Sequence, residues 1–287
     1  MALSNLPQRE EYLKKKRNRK FLKYGVAVFL TILIIGLLSY ISHRPKIRIN
    51  GVKLSGGILV TQADVETKSL EYLNGSYLWL FPKNNAFLYP RKGLEKYLKE
   101  NFKRIDTISI GLKGFQTLDI KIAERKPFAI WCDTLPGDEV ISEDGYSDTR
   151  CYFMDQNSAV FAPSPQFSGD AYFKYYGRVS TSSPLGNYYI SSTTEFAEIS
   201  DFVSNVKNLS IHPLYIVAKE NDEFSLVLSG GGEIYFDMKG SLSKTTKNLE
   251  ALLQTPDLAK NLNGNLPINY IDLRYGNKLF YKLKNEQ

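Results

Sequence analysis

Hydrophobic and polar positions change rhythm three times along this chain. From Tyr24 to Ser42 there is no charged residue, and no polar stripe recurs at helical spacing. About 19 residues of helix rise roughly 28 Å, close to the hydrocarbon thickness of a bilayer. The pattern predicts a membrane-spanning helix over 24–42, because a buried soluble helix would carry a polar face. Tyr24 and Tyr40 stand where interfacial aromatics are expected.

Beyond the span the pattern becomes mixed. Ile47, Ile49 and Val52 mark a short strand over 47–52. Thr61 with Asp64 three residues later signals a helix N-terminus, and Val65, Ser69, Tyr72 and Leu73 then share one helical face. Tyr77 to Phe81 form an apolar connection. Pro90 suits the first turn of a second helix, in which Leu94, Tyr97, Leu98 and Phe102 line one face. Two alternating strands follow, one through Ile108, Ile110 and Leu112, the other through Leu118, Ile120 and Ile122, with Gly114 in the turn between them. The predicted order β-α-α-β-β gives a compact α+β unit over 45–127, its two helices covering one face of a three-stranded sheet.

Residues 128–287 read as strand-rich. Strand patterns cover Val160–Phe161, 171–176, 215–218, 224–228, 233–236, 268–275 and 278–283. Two helices flank them, one with Phe196, Ile199, Val203 and Val206 on a face, the other with Leu249, Leu252 and Leu253. Gly230, Gly231 and Gly232 precede a strand rather than a helix, which favours a hairpin turn over a phosphate cradle.

Charge sharpens the membrane reading. The whole chain carries +7. Residues 1–23 hold Arg9, Lys14, Lys15, Lys16, Arg17, Arg19, Lys20 and Lys23 against Glu10 and Glu11, a balance of +6. Positive charge beside a span stays in the cytoplasm and is drawn to anionic lipid, so 1–23 is expected to be a cytoplasmic tail, with 45–287 outside. A cleaved signal peptide would have a shorter apolar core and small residues at its cleavage site. Here Tyr40 to Arg44 offer none. The outer part keeps about +1, which does not suit a nucleic-acid binder.

Candidate chemistry is sparse. His43 lies at the membrane edge, and His212, beside Pro213, reads as a packed, hydrogen-bonded histidine. No nucleophile with a positioned base is evident. Two cysteines and isolated histidines do not make a zinc site. Cys132 and Cys151 lie on the oxidising side of the membrane, where a bridge is permitted, but sequence does not supply the Cα separation that one needs. The loop between them is acidic (Asp133, Asp138, Glu139, Glu143, Asp144, Asp148) without the alternating spacing of a calcium loop, and reads as solvated surface. No cofactor, metal, nucleic acid or small-molecule substrate is expected, and no enzymatic activity.

Four segments resemble the FtsQ/DivIB family of bacterial cell-division proteins. Ile47, Ile49, Gly51 and Val52 resemble the first strand of its POTRA domain. The run from Leu118 through Glu124, Arg125, Lys126, Pro127, Phe128 and Ala129 to Trp131 is similar to the strand leaving POTRA for the β-domain. Phe153–Asp155 with Val160 and Phe161 resembles the family's hairpin, although Ser158 stands where glycine is usual, so that turn is expected to differ. Tyr270 to Tyr275 is similar to a late β-domain strand. Glu124 and Arg125 read as exposed strand-end charges, and Trp131 as a core anchor.

The resemblance implies a tail (1–23), a span (24–42), a POTRA domain (45–127) and a β-domain (128–287). It also implies a non-enzymatic scaffold that links other bitopic division proteins, of the FtsB/DivIC and FtsL kinds, at the septum. The Lys-bounded segment 278–283 is expected to be an edge strand open to an extended partner. Arg274, Tyr275, Lys278, Leu279, Phe280 and Tyr281 are the expected contacts, with a core role for Leu279 and Tyr281 equally open. The rival functions are a membrane-anchored adapter in secretion or envelope assembly and an anchored envelope enzyme. A single POTRA-like unit without tandem repeats or a barrel pattern counts against the adapter.

Overall fold

A computed structural model describes residues 6–138, 149–165, 171–259, 266–276 and 278–284. The chain divides between Glu124 and Arg125 into two compact units.

Helix α1 (Leu6–Ser42) continues the apolar segment back through the basic tail without a break. It is long and apolar enough to cross a membrane. From Tyr12 onward its side chains face outward, Ser39 and Ser42 excepted, so the helix has no protein core of its own.

The rest of the first unit is α+β. After a 3₁₀ turn (Pro45–Ile47) come β1 (Gly51–Ser55), α2 (Gln62–Tyr72), a two-stranded hairpin of β2 (Ser76–Tyr77) and β3 (Phe81–Pro82), α3 (Arg91–Asn101), β4 (Ile105–Lys113) and β5 (Thr117–Glu124). The sheet order is β1-β5-β4, with β1 parallel and β4 antiparallel to β5. Thr61 caps α2, its hydroxyl oxygen accepting from the Asp64 N–H at 3.2 Å. Val65, Leu73, Leu94 and Leu98 from the helices meet Ile110, Leu118, Ile120 and Ile122 from the sheet in one core.

Two local expectations are corrected here. Residues 47–50 are not strand: the N–H of Ile49 donates to Asn84, and those of Asn50 and Gly51 both donate to Gln116, which delays pairing until Gly51. Pro90 is the N-cap of α3 rather than a residue of its first turn. The connection at 77–81 is a tight turn in which Leu80 N–H donates to Tyr77 C=O at 2.9 Å. Leu78 and Trp79 at its centre hold φ of 48° and 61°, a left-handed pair that asparagine and glycine adopt most readily.

In the second unit nine strands form one mixed sheet: β6 (Ala129–Cys132), β7 (Cys151–Met154), β8 (Val160–Pro163), β9 (Lys174–Tyr176), β10 (Pro213–Ala218), β11 (Glu223–Leu228), β12 (Glu233–Asp237), β13 (Ile268–Tyr275) and β14 (Lys278–Leu283). Their order is β14-β13-β12-β11-β10-β9-β6-β7-β8. The parallel steps need crossovers. α4 (Thr193–Asn208) lies between β9 and β10, while α5 (Leu242–Leu253) and α6 (Pro256–Ala259) lie between β12 and β13.

Alternation within each strand sorts side chains to two faces. Trp131, Tyr175, Ile216, Phe224, Phe236 and Ile271 pack with Phe196, Phe202 and Leu249 of the helices. Ile130, Cys132 and Tyr176 gather on the opposite face with Tyr215 and Val217. Strand β9 is shorter than the sequence pattern, with only 174–176 pairing.

Candidate functional site

Strand β14 forms one end of the nine-stranded sheet, and among the described residues no strand pairs with its outer side. It is held by antiparallel pairing to β13, with Ile271 opposite Tyr281 and Asp272 opposite Phe280. Period-two alternation sends Leu279, Tyr281 and Leu283 inward, where they pack half-buried against the core. Lys278, Phe280 and Lys282 point outward, and Phe280 is 48% exposed. The exposed ring of Tyr275 meets Phe280 edge to face, centroids 5.3 Å apart. Tyr275, Lys278 and Phe280 therefore form one accessible cluster at the sheet edge, and Leu279 and Tyr281 are turned away from it.

Arg274 lies beside this cluster but is committed within the sheet. Its guanidinium donates from Nε to Asp272 Oδ1 at 2.9 Å and from Nη2 to Asp272 Oδ2 at 2.5 Å, and pairs through Nη1 with Glu223 of β11. It also lies over the ring of Tyr235, 5.4 Å from the centroid. Burial pushes the Asp272 carboxyl up, but the bonds from Arg274 outweigh it and hold the group below its ordinary value. The same bonds raise the guanidinium further. Sequence alone carried one signal for this pair: residues two apart on a strand share a face.

The outward face of the sheet is rich in tyrosine. Tyr176 and Tyr215 meet edge to face with centroids 5.2 Å apart, and Tyr235 and Tyr270 pack at a tilt with centroids 6.1 Å apart. Lys219 lies 4.7 Å over Tyr235. Burial raises the pKa of Tyr215 and Tyr235, with Glu233 adding to both.

Cys132 and Cys151 face each other directly across β6 and β7 and form a disulfide, Cα atoms 4.1 Å apart. The loop that it closes is also joined at its base, where the Asp133 carboxylate accepts from Arg150 N–H and Arg150 Nε, each at 2.9 Å. Glu139, Glu143, Asp144 and Asp148 lie outside the described residues. Among the described residues no group of three His, Cys, Asp or Glu side chains is placed to hold a metal ion.

The two charges that end β5 and follow it are bonded inward, which corrects their reading as exposed. Glu124 Oε1 accepts from the backbone N–H groups of Ile58, Leu59 and Val60 at 2.7, 2.8 and 2.9 Å. Burial pushes this carboxyl up, and the three donors outweigh it and lower its pKa. Arg125 pairs with Asp155. The second oxygen of Asp155 accepts from Asn157 and Ala159 N–H at 2.8 and 2.9 Å, which shapes the turn before β8. Ser158 in that turn has φ of 66°, a conformation suited to glycine. Its buried hydroxyl donates to Ile190 C=O at 2.7 Å. Trp131 is fully buried, its Nε1 donating to Gly177 C=O at 2.9 Å. Gly177 itself has φ of 83°, and a Cβ there would meet Ala218 O at 2.6 Å. His212 is exposed rather than packed, because the inward positions on either side of it belong to Ile211 and Pro213.

No protein-family model matches the chain, and no curated protein matches it.

Proposed function

We propose that this chain is a single-pass membrane scaffold of the bacterial division machinery, of the FtsQ/DivIB kind, acting without catalysis. The basic tail lies in the cytoplasm, the two outer units lie outside, and the chain collects at the septum. The first outer unit corresponds to a POTRA domain and the second to the family's β-domain. The chain links other bitopic division proteins, of the FtsB/DivIC and FtsL kinds.

One observation carries this reading: a six-residue strand, β14, ends the sheet with no strand pairing its outer side among the described residues, and an aromatic pair, Tyr275 and Phe280, is exposed beside it. An edge of this kind accepts an extended segment through main-chain hydrogen bonds, while side chains select the sequence. Arg274 then acts by holding β13 to β11 under the docking strand. Lys278 and Lys282 favour an acidic partner segment and discourage pairing with a second copy.

The test is a pull-down of FtsB/DivIC-like and FtsL-like ectodomains by the full chain in detergent, with Phe280→Asp as the variant and a fluorescent fusion scored for septal position. Binding by the native chain, lost in the variant, together with septal fluorescence, supports the proposal. Undiminished binding by a folded Phe280→Asp chain removes the edge-strand mode, and uniform fluorescence around the cell removes the division role.

A further inference from the structure

The hairpin of β2 and β3 exposes its most apolar residues. Trp79 is 91% exposed and Leu78 80%. Both occupy left-handed backbone positions in the three-residue loop 78–80, positions that asparagine and glycine would fill with less strain. Neither residue is there to serve the turn or a protein core.

Three hydrogen bonds locate this hairpin along α1. The Asn85 side chain donates to the Ser42 carbonyl and hydroxyl oxygens at 3.1 and 3.0 Å. The Ser39 hydroxyl donates to Leu80 C=O at 2.7 Å. Ser39 lies about 4.5 Å deeper along the helix axis than Ser42. The chain therefore descends alongside α1 between Asn85 and Leu80, toward the apolar body of the helix, and the turn at Leu78 and Trp79 lies beyond Leu80. Thr31, in the middle of the apolar segment, instead donates back to Ala27 of its own helix at 2.9 Å. Ser39 breaks that habit in order to hold the hairpin. A polar group marks the rim at the same level: Arg44 donates to the Tyr40 hydroxyl at 2.9 Å and lies 4.6 Å over its ring. Phe87 and Phe115 pack at a tilt close by, ring centroids 5.3 Å apart. Phe87 N–H donates to the same Asn85 that holds Ser42, and Gln116, next to Phe115, donates to Pro45 C=O.

We infer that the Leu78–Trp79 turn is a second membrane contact, inserting into the interfacial layer of the outer leaflet and fixing the first outer unit against the bilayer beside α1. This rests on α1 being a membrane span. The occupant is lipid because the patch continues the apolar surface of α1 through the Ser39–Leu80 bond, and because tryptophan favours that layer. The strained turn persists because its side chains leave water when the chain meets the bilayer.

The probe is Trp79 fluorescence of the full chain in vesicles of phosphatidylcholine and phosphatidylglycerol, with and without acyl chains brominated near the headgroup. The chain has two tryptophans, and Trp131 is fully buried, so a Trp79→Phe variant isolates the Trp79 signal by difference. A blue-shifted Trp79 emission that is lost in brominated vesicles supports the inference. Emission typical of water, quenched by iodide and indifferent to bromine, overturns it, as does shielding that occurs only in native membranes, which assigns the patch to a protein partner. Phe29→Trp in the Trp79→Phe background reports separately on α1. Its quenching by deeply brominated lipid shows the span to be embedded, and its absence defeats the reading of α1 rather than the hairpin. The double variant Leu78→Asn, Trp79→Gly keeps a favourable turn. It is expected to stay embedded while making the outer unit more accessible to protease near residues 76–82, and unchanged protection would contradict the inference.

Discussion

Tyr275 meets Phe280 edge to face across the turn between β13 and β14, ring centroids 5.3 Å apart. The adjacent Tyr281 points the other way, into the core. Neighbouring aromatics on one strand should therefore respond differently to the same substitution. Phe280→Asp is expected to cost about 1 kcal/mol or less, because the ring is half exposed. Tyr281→Asp should cost about 3 kcal/mol by placing a carboxylate against apolar neighbours. Urea unfolding of each variant measures the difference.

The pair of Arg125 with Asp155 ties the entry of the second unit to the turn before β8. Arg125→Ala leaves a mostly buried carboxylate without its cation and should destabilise that unit by about 3 kcal/mol. Lys126→Ala, at an exposed neighbour, should change stability by about 0.5 kcal/mol at most. Equal effects in thermal unfolding would show that the ion pair contributes nothing.

The Cys132–Cys151 bridge closes a loop with a sequence separation of 19. Constraint of the unfolded chain predicts a loss of about 3 kcal/mol on reduction. Denaturant midpoints of the second unit with and without reductant check this, and coincident midpoints would contradict it.

Acid should weaken both units. Asp272 and Glu124 have pKa values lowered from their ordinary 3.8 and 4.5 by bonds that exist only in the folded chain. Such groups contribute stability above the unfolded pKa, and this is lost as pH falls through the lower folded value. Stability should therefore decline as pH drops below about 4. Asp272→Asn should be less stable at neutral pH and should flatten the decline. A decline of unchanged steepness in that variant would exclude Asp272 as a source.

Much of this architecture was legible where burial and periodicity coincide. Val65 and Ser69 on α2 with Leu73 at its C-cap, the alternation of Leu118, Ile120 and Ile122, and the sharing of one face of β14 by Leu279, Tyr281 and Leu283 all follow from spacing, although which face of β14 turns inward does not. What resisted reading depended on distant partners. Ile47 and Ile49 look like strand positions, yet the backbone of 49–51 is engaged by Asn84 and Gln116 from far along the chain. Glu124 reads as a surface charge until three amides 64 to 66 residues earlier close around it. Arg274 looked available for a partner, and only the fold brings Glu223 to it. The Leu78–Trp79 turn was an apolar connection in sequence, because nothing local says that its side chains face outward.

The most direct test of a membrane-held docking platform is site-specific photocrosslinking in the native cell, with the photoreactive residue at Phe280 in the full chain. An adduct with a small single-pass division protein, absent when the same group replaces Lys53 in the first unit, is the predicted result. No adduct at Phe280, from a chain that is membrane-bound and supports normal division, would contradict the account.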